Sequence, residues 1–330
     1  MDKRALGRNG PQVSALGLGC MAMSGMYGPA DREASIATIH AALDAGVTLL
    51  DTGDFYGMGH NEMLIGEAVH GLKRDSFQVS VKFGTLPDVQ GRWSATDNRP
   101  KTVRAYIAYT LRRLGLDHID IYRPARLDPD VPIEDTIGAM GELVEAGMVR
   151  HIGLSEVGEA TIRRAASVHP ISDLQIEYSL IARGIEDRIL PACRELGIGV
   201  TAYGVLARGL ISGHWSKARS APGDLRALTP RFQNGNVDAN LALVEALRQI
   251  AEEKGASVAQ IAIAWVASHP DVVPLVGSRR RIQLEEALGA LSVTLEDDDF
   301  AAIERAIPKG AGAGGRYPDA QLRTLDSEKA

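Results

Sequence analysis

Short apolar runs of β-forming residues alternate with amphipathic helical stretches from one end of the chain to the other. The opening Arg4-Ala5-Leu6 and Val13-Ser14-Ala15, joined through Asn9-Gly10-Pro11, read as a small hairpin. Strands are expected at Leu16–Cys20, Thr48–Thr52, Gln78–Phe83, Ile119–Arg123, Val149–Leu154, Leu174–Glu177, Val200–Ala202 and Val272–Val276. Helical patterns lie between them at Asp31–Ala45, Asn61–His70, Thr102–Leu114, Ile133–Glu145, Glu159–Val168, Ile185–Glu195, Val258–Ser268 and Leu284–Ala290. Gly46, Gly71, Gly115, Gly147 and Gly197 stand where helices end in a left-handed residue.

Eight strand–helix units in series predict an α/β chain folded as a (β/α)8 barrel, one domain over residues 1–330, rather than an open sheet. Gly17-Leu18-Gly19-Cys20-Met21-Ala22 after the first strand fails the dinucleotide-binding Gly-x-Gly-x-x-Gly pattern. Gly84–Lys101, Val205–Val237 and the glycine-rich tail from Pro308 are too long for simple connectors. In a barrel such loops shape the active site at the C-terminal ends of the strands.

A hydrophobic content of 45% is ample for a core, and a formal charge of −6 argues against nucleic acid or an anionic membrane as the main partner. Cys20 and Cys193 are far apart and lack metal-ligand spacing, which fits a reduced, cytoplasmic protein. There is no apolar run of membrane-spanning length, and Met1-Asp2-Lys3-Arg4 leads into no apolar signal region. Nothing in the pattern points to a particular oligomeric state.

The chemistry gathers at strand ends. Asp51-Thr52-Gly53-Asp54-Phe55-Tyr56-Gly57 closes one strand, and Lys82 closes the next, 26 residues after Tyr56. Free tyrosine, with a pKa of about 10, is a poor acid at neutral pH. A lysine ammonium nearby is expected to lower that value, with Asp51 holding and orienting Lys82. Each residue alone reads as a solvated lysine or a core aromatic; together, at consecutive strand ends, they read as catalytic.

With these residues the chain resembles the aldo-keto reductase superfamily over nearly its whole length. The resemblance rests on the Asp51–Gly57 run with Gly59-His60-Asn61-Glu62, on Lys82, Gly153-Leu154-Ser155-Glu156 and Gln175, and on Tyr203-Gly204-Val205-Leu206-Ala207-Arg208-Gly209. Pro230-Arg231-Phe232-Gln233, Gly277-Ser278-Arg279-Arg280 and Arg316-Tyr317-Pro318 extend it toward the branch with pyridoxal-reductase-like and auxin-induced-protein-like members. The resemblance implies NADPH-dependent reduction of an aldehyde or ketone, with Tyr56 as general acid; alcohol oxidation in reverse is equally open to these groups.

It also implies a cofactor cradle. Ser155, Glu156 and Gln175 match positions that grip the nicotinamide carboxamide, and Tyr203 matches the ring on which the nicotinamide stacks. Gly19, Cys20 and Met21 match the segment beneath the ribose, and Leu206, Arg208 and Gly209 the pyrophosphate path. Gly277, Ser278, Arg279, Arg280 and Gln283 match the adenine-ribose end, where a guanidinium clamps a 2′-phosphate; this favours NADP over NAD. A basic Arg279-Arg280-Arg281 run at a helix start opposes the helix dipole, a clash that a bound phosphate relieves. Late in that helix the family usually has Glu-Asn, whereas here Glu286 is followed by Ala287.

One position departs from the pattern. The family's fourth catalytic residue, a histidine within a Gln-His-Arg run, aligns with Ala125 of Pro124-Ala125-Arg126. Losing a donor to the substrate oxygen costs about 10²–10³ in rate in acyl transfer. A water, Trp93 or a donor on the substrate are candidates to fill the space, and Arg123 points inward one layer deeper; His60 and His151 read as structural. Met26, Tyr27, Phe55, Trp93, Trp215 and Tyr317 are expected to line the substrate pocket, with the room at Ala125 suiting a bulky or cyclic ketone. A cofactor-binding regulatory or redox-sensing subunit with slow catalysis is the alternative reading.

Overall fold

Eight parallel strands close into a barrel in the computed structural model, which describes residues 1–216 and 224–329. The antiparallel hairpin β1 (Lys3–Ala5) and β2 (Gln12–Ser14) comes first. The barrel begins with β3 (Gly17–Gly19), β4 (Leu49–Gly53) and β5 (Gln78–Phe83). A second hairpin, β6 (Thr85–Pro87) with β7 (Trp93–Thr96), follows at the open end. The barrel is completed by β8 (Ile119–Pro124), β9 (Val149–Ser155), β10 (Ile171–Glu177), β11 (Gly199–Tyr203) and β12 (Val272–Gly277), which pairs back onto β3.

The outer ring comprises α1 (Arg32–Asp44), α2 (His60–Ala68), α3 (Pro100–Leu114), α4 (Ile133–Glu145), α5 (Glu159–Ala166), α6 (Ile189–Leu196), α7 (Asn234–Glu253), α8 (Val258–Ala267), α9 (Arg281–Gly289) and α10 (Asp297–Ala306); a short α11 (Asp319–Leu322) lies in the tail. Local chemistry sets several ends. Pro100 opens α3 and Gly115 closes it at φ 66°, while Ser257 and Gln260 cap α8 reciprocally. Every residue of β4, β8 and β10 is buried, as expected for strands with helices outside and a filled interior.

The barrel's N-terminal end is plugged. Leu6 and Val13, flanking the first hairpin's turn, pack with Leu49, Ile121, Val273 and Leu275, and Arg4 Nη1 donates to the carbonyls of His269 (3.1 Å) and Val272 (2.9 Å). Above this plug lies a charged layer. Arg123 Nη2 donates to both Asp173 oxygens (3.0 and 2.9 Å), Thr201 also donates to Asp173, and neither Arg123 nor Asp173 is exposed. Gly153 makes room for them: a Cβ there would stand 2.6 Å from Asp173 Oδ1 and 2.9 Å from Arg123 Nε. The C-terminal ends of the strands lie at the opposite end of the barrel.

All eight expected barrel strands are present, and the first hairpin closes as its turn residues predict. β10 starts at Ile171 rather than Leu174, because Ser172 and Asp173, polar in sequence, are strand residues buried in the barrel. The largest departure is α7, which begins inside the expected Val205–Val237 loop, of which residues 217–223 lie outside the described residues. Its opening Asn234-Gly235-Asn236 hides the helix start, although Val237, Leu241, Val244, Leu247 and Ile250 carry the helical spacing. Among the described residues no helix is long and apolar enough to cross a membrane.

Candidate active site

Asp51 on β4 and Lys82 on β5 meet inside the rim of the barrel. Lys82 Nζ donates to Asp51 Oδ1 at 2.5 Å, and both side chains are buried. The other carboxylate oxygen accepts from Ser80 Oγ (2.8 Å) and from Gln175 Nε2 (2.7 Å) across the barrel. Asp51 is thus held by three donors from two strands, and it fixes the ammonium in turn. Burial pulls the Lys82 ammonium below its ordinary value, and Asp51 opposes that pull.

Tyr56 lies over this pair. Lys82 Nζ is 5.0 Å from the centroid of the Tyr56 ring, which packs edge-on against Phe55 (4.8 Å between centroids) in a buried cluster with Ala125 and Met21. The expected lowering of the phenol by Lys82 is not what the geometry gives. Burial pushes Tyr56 well above its ordinary value, Asp51 and Tyr27 push the same way, and Arg126 is the cation that pulls back. Lys82 is neutralised by Asp51 at salt-bridge distance, so the phenol feels the pair's negative member at least as strongly as its positive one.

Around Tyr56 the structure gathers some expected pocket residues and separates others. Trp93 on β7 meets Phe55 edge-on at 5.1 Å and remains 39% exposed, so it covers Phe55 rather than filling the space at Ala125. Tyr27 is close enough to Tyr56, Tyr317 and Arg208 to feel their charges, and burial pushes its phenol up to about 12. Trp215 packs on Phe232 (5.2 Å) and the main core, apart from the Phe55–Tyr56–Ala125 cluster. Arg123 lies one layer deeper, as its strand parity predicts. His60 Nδ1 bonds Ser24 Oγ (2.9 Å), a structural contact.

The C-terminal tail is tied into the same rim. Glu156 has the left-handed backbone φ of 54° and a fully buried carboxylate. It accepts from Arg316 Nη1 (2.9 Å) and Nη2 (2.5 Å), Tyr203 OH (2.7 Å), Ser327 Oγ (2.8 Å) and the Glu177 N–H (3.1 Å). Arg316 and its neighbours hold Glu156 at about 2, against the burial that would raise it. Tyr203 OH also meets Tyr317 OH at 2.8 Å, and the Arg208 guanidinium lies 4.7 Å from the Tyr317 ring centroid. Sequence reasoning placed Glu156, Tyr203 and Tyr317 in the site but missed this strap, because its partners are far apart in the chain. Ser80 and Arg126 were missed too, although Ser80 shares strand parity with Lys82.

Along the rim from β9 to β12, several groups are left open. The buried Ser155 and Ser278 hydroxyls have no hydrogen-bond partner among the described residues. Gly19 and Gly277 face each other in register across β3 and β12, with Cys20 buried and Met21 half-buried just beyond. Leu206 packs on the core, and Arg208 (φ 60°) and Gly209 (φ 91°) turn the chain sharply after β11. Arg208 Nη1 donates to Thr229 Oγ1 (2.6 Å). Arg279 Nη1 donates to the carbonyls of Gly28 (3.1 Å) and Pro29 (2.9 Å), so it ties down a loop, whereas Arg280 is exposed. Gln283 Oε1 accepts from the Arg279 N–H (3.3 Å), and Glu286 accepts from His214 Nε2 (2.8 Å). Among the described residues no cluster of His, Cys, Asp and Glu is arranged to hold a metal ion.

Comparison with known proteins places this geometry in context. The Aldo/keto reductase family profile matches residues 15–308. A probable aldo-keto reductase 1 of Glycine max is 41% identical over 318 residues, spanning 94% of this chain and 90% of that one. The glycerol dehydrogenase of Gluconobacter oxydans superposes with a TM-score of 0.84 at 30% identity, over 92% of this chain and 94% of that one. A thermostable aldo-keto reductase solved with the inhibitor epalrestat gives a TM-score of 0.75 at 27% identity, over 93% and 100%.

Proposed function

Because the chain belongs to the aldo/keto reductase family, whose members act on small carbonyl compounds with nicotinamide cofactors, we propose that it reduces an aldehyde or ketone to an alcohol with NADPH. The observation that carries this reading is the Asp51–Lys82–Tyr56 set buried at the open end of the barrel. Bound NADPH supplies a hydride from its nicotinamide C4 to the carbonyl carbon. Tyr56 gives its phenolic proton to the carbonyl oxygen, with Lys82, fixed by Asp51, set under its ring. A phenol held protonated suits reduction; alcohol oxidation by the same groups requires the phenolate and therefore higher pH.

The residues fit a nicotinamide dinucleotide. Unpartnered buried hydroxyls at Ser155 and Ser278 are donors awaiting an acceptor, and Gly19 and Gly277 leave the strand ends bare for close approach. Ser155 and Gln175 would hold the carboxamide, with Tyr203 beneath the ring and Glu156 acting by fixing Tyr203 and the tail. Gly19, Cys20 and Met21 would support the ribose, and Leu206, Arg208 and Gly209 the pyrophosphate. Ser278, exposed Arg280 and Gln283 would take the adenine end and the 2′-phosphate that favours NADP; Glu286, already bonded to His214, would border it. Tyr27, Phe55, Trp93, Ala125 and Tyr317 would receive a bulky or cyclic carbonyl compound.

The test is NADPH consumption against aldehydes, ring ketones and sugars, repeated with NADH and, in reverse, with NADP⁺ and alcohols. Turnover of at least one class with NADPH preferred is expected. Failure with every carbonyl, in protein shown to bind NADPH, would refute the reading.

A further inference from the structure

Arg126 is the charged group of the rim to which the proposed reaction gives no task. Ala125, buried against Phe55 and Tyr56, is followed directly by this half-buried arginine, whose Nη1 turns back to donate to the Ala125 carbonyl at 2.6 Å. The cation is therefore folded in beside the short side chain. The backbone beneath it is pinned, since the Ala125 N–H donates to Phe83 O (2.8 Å) and Asn98 Nδ2 donates to Arg126 O (2.8 Å). A guanidinium carries five N–H donors, and among the described residues this one uses a single donor, to the Ala125 carbonyl.

Its neighbours are otherwise engaged. Lys82 is paired with Asp51, Arg316 with Glu156 and Glu328, Arg231 with Glu177, and Arg123 with Asp173. Arg126 forms no ion pair among the described residues. Glu156, the acid whose charge reaches it, is filled by Arg316, Tyr203, Ser327 and a backbone N–H. Arg316 and Lys82 repel it, and the phenols of Tyr317, Tyr203 and Tyr56 lie within its field. Among the described residues Arg208 also lacks a carboxylate partner, but it bonds Thr229, lies over the Tyr317 ring and belongs to the proposed pyrophosphate path.

We infer that Arg126 is a substrate-binding residue that takes a carboxylate close to the reacting carbonyl, so the preferred substrates are oxo acids rather than neutral ketones. This rests on the carbonyl-reductase reading of the same site and narrows it. A guanidinium there pairs with a carboxylate in two-point fashion and holds the carbonyl by its substituent. The short Ala125 side chain, packed against Phe55 and Tyr56, puts no bulk of its own between the phenol and the guanidinium.

Phenylglyoxylate and its methyl ester form a test pair that differs in charge and little in shape. Wild type should favour the acid in kcat/KM. Arg126→Met should lose about 10- to 100-fold for the acid, mainly through KM, the range for losing a hydrogen bond to a charged group. The ester should change by less than about threefold, and Arg126→Lys should recover part of the preference. Equal losses on acid and ester, or a wild-type preference for the ester, would overturn the inference. Benzoate binding, followed by calorimetry on the NADPH-loaded protein, needs no turnover: it should weaken about 10-fold in Arg126→Met, and unchanged binding would also overturn it. If no carbonyl is reduced yet benzoate binding depends on Arg126, the reaction proposed above falls and the anion site stands.

Discussion

Replacing Glu156 with glutamine tests whether the tail strap is as costly to break as its geometry implies. The carboxylate accepts from five donors, including both ends of a guanidinium that is 10% exposed. An amide turns one acceptor into a donor facing Arg316 or Tyr203. Removing one partner of a buried pair costs about 3–5 kcal/mol. Arg316 keeps Glu328 at 2.7 Å and Glu177 at 3.6 Å, so the lower end applies, about 3 kcal/mol.

The ionisation of Glu156 leads to the same figure. A fall from 4.5 to about 2 on folding corresponds to about 3 kcal/mol. Because the folded value is depressed, this stability is present above about pH 4.5 and is lost as pH falls toward 2. Urea unfolding of wild type and Glu156→Gln should therefore differ by about 3 kcal/mol at pH 7, with the gap closing between pH 4.5 and 2. For 330 residues the melting temperature should drop by about 4 °C at pH 7. A gap under about 1 kcal/mol, or one that stays constant with pH, would refute the reasoning.

Three further outcomes follow from the geometry. Gly153→Ala should destabilise by about 2–4 kcal/mol in urea, since its Cβ would press on the buried Arg123–Asp173 pair; a neutral result would contradict that packing. The kcat/KM for carbonyl reduction should stay flat from about pH 7 to pH 9, because Tyr56 is held protonated; an alkaline limb with a midpoint near pH 7–8 would contradict it. Ala125→His should lower kcat/KM for bulky ring ketones relative to small aldehydes by about tenfold or more, as an imidazole displaces the substituent while adding a donor to the oxygen; an unchanged ratio would count against the pocket.

The barrel was legible because its strands are short apolar runs that follow helix-ending glycines, and Asp51 and Lys82 were legible because they lie near the ends of consecutive strands. What the sequence hid depends on distance in the chain or on charge balance. The Glu156–Arg316 pair joins β9 to the tail, with no local signal linking them. The direction in which Tyr56 shifts depends on Asp51 neutralising Lys82, a matter of 2.5 Å that spacing does not encode. Arg126 lies two residues past the end of β8, beyond the reach of strand parity, and only its return to the Ala125 carbonyl places it at the rim. The α7 helix was masked by Asn234-Gly235-Asn236, although its apolar spacing was readable beyond Val237.

The central claim is that the Tyr56 phenol, set over the Lys82–Asp51 pair, delivers the proton in carbonyl reduction. Single-turnover oxidation of NADPH by wild type and Tyr56→Phe, with the same reducible carbonyl, tests it most directly. The account predicts a loss of about 10²-fold or more in Tyr56→Phe, with NADPH binding unchanged when followed by fluorescence. Equal rates in the two proteins would contradict it.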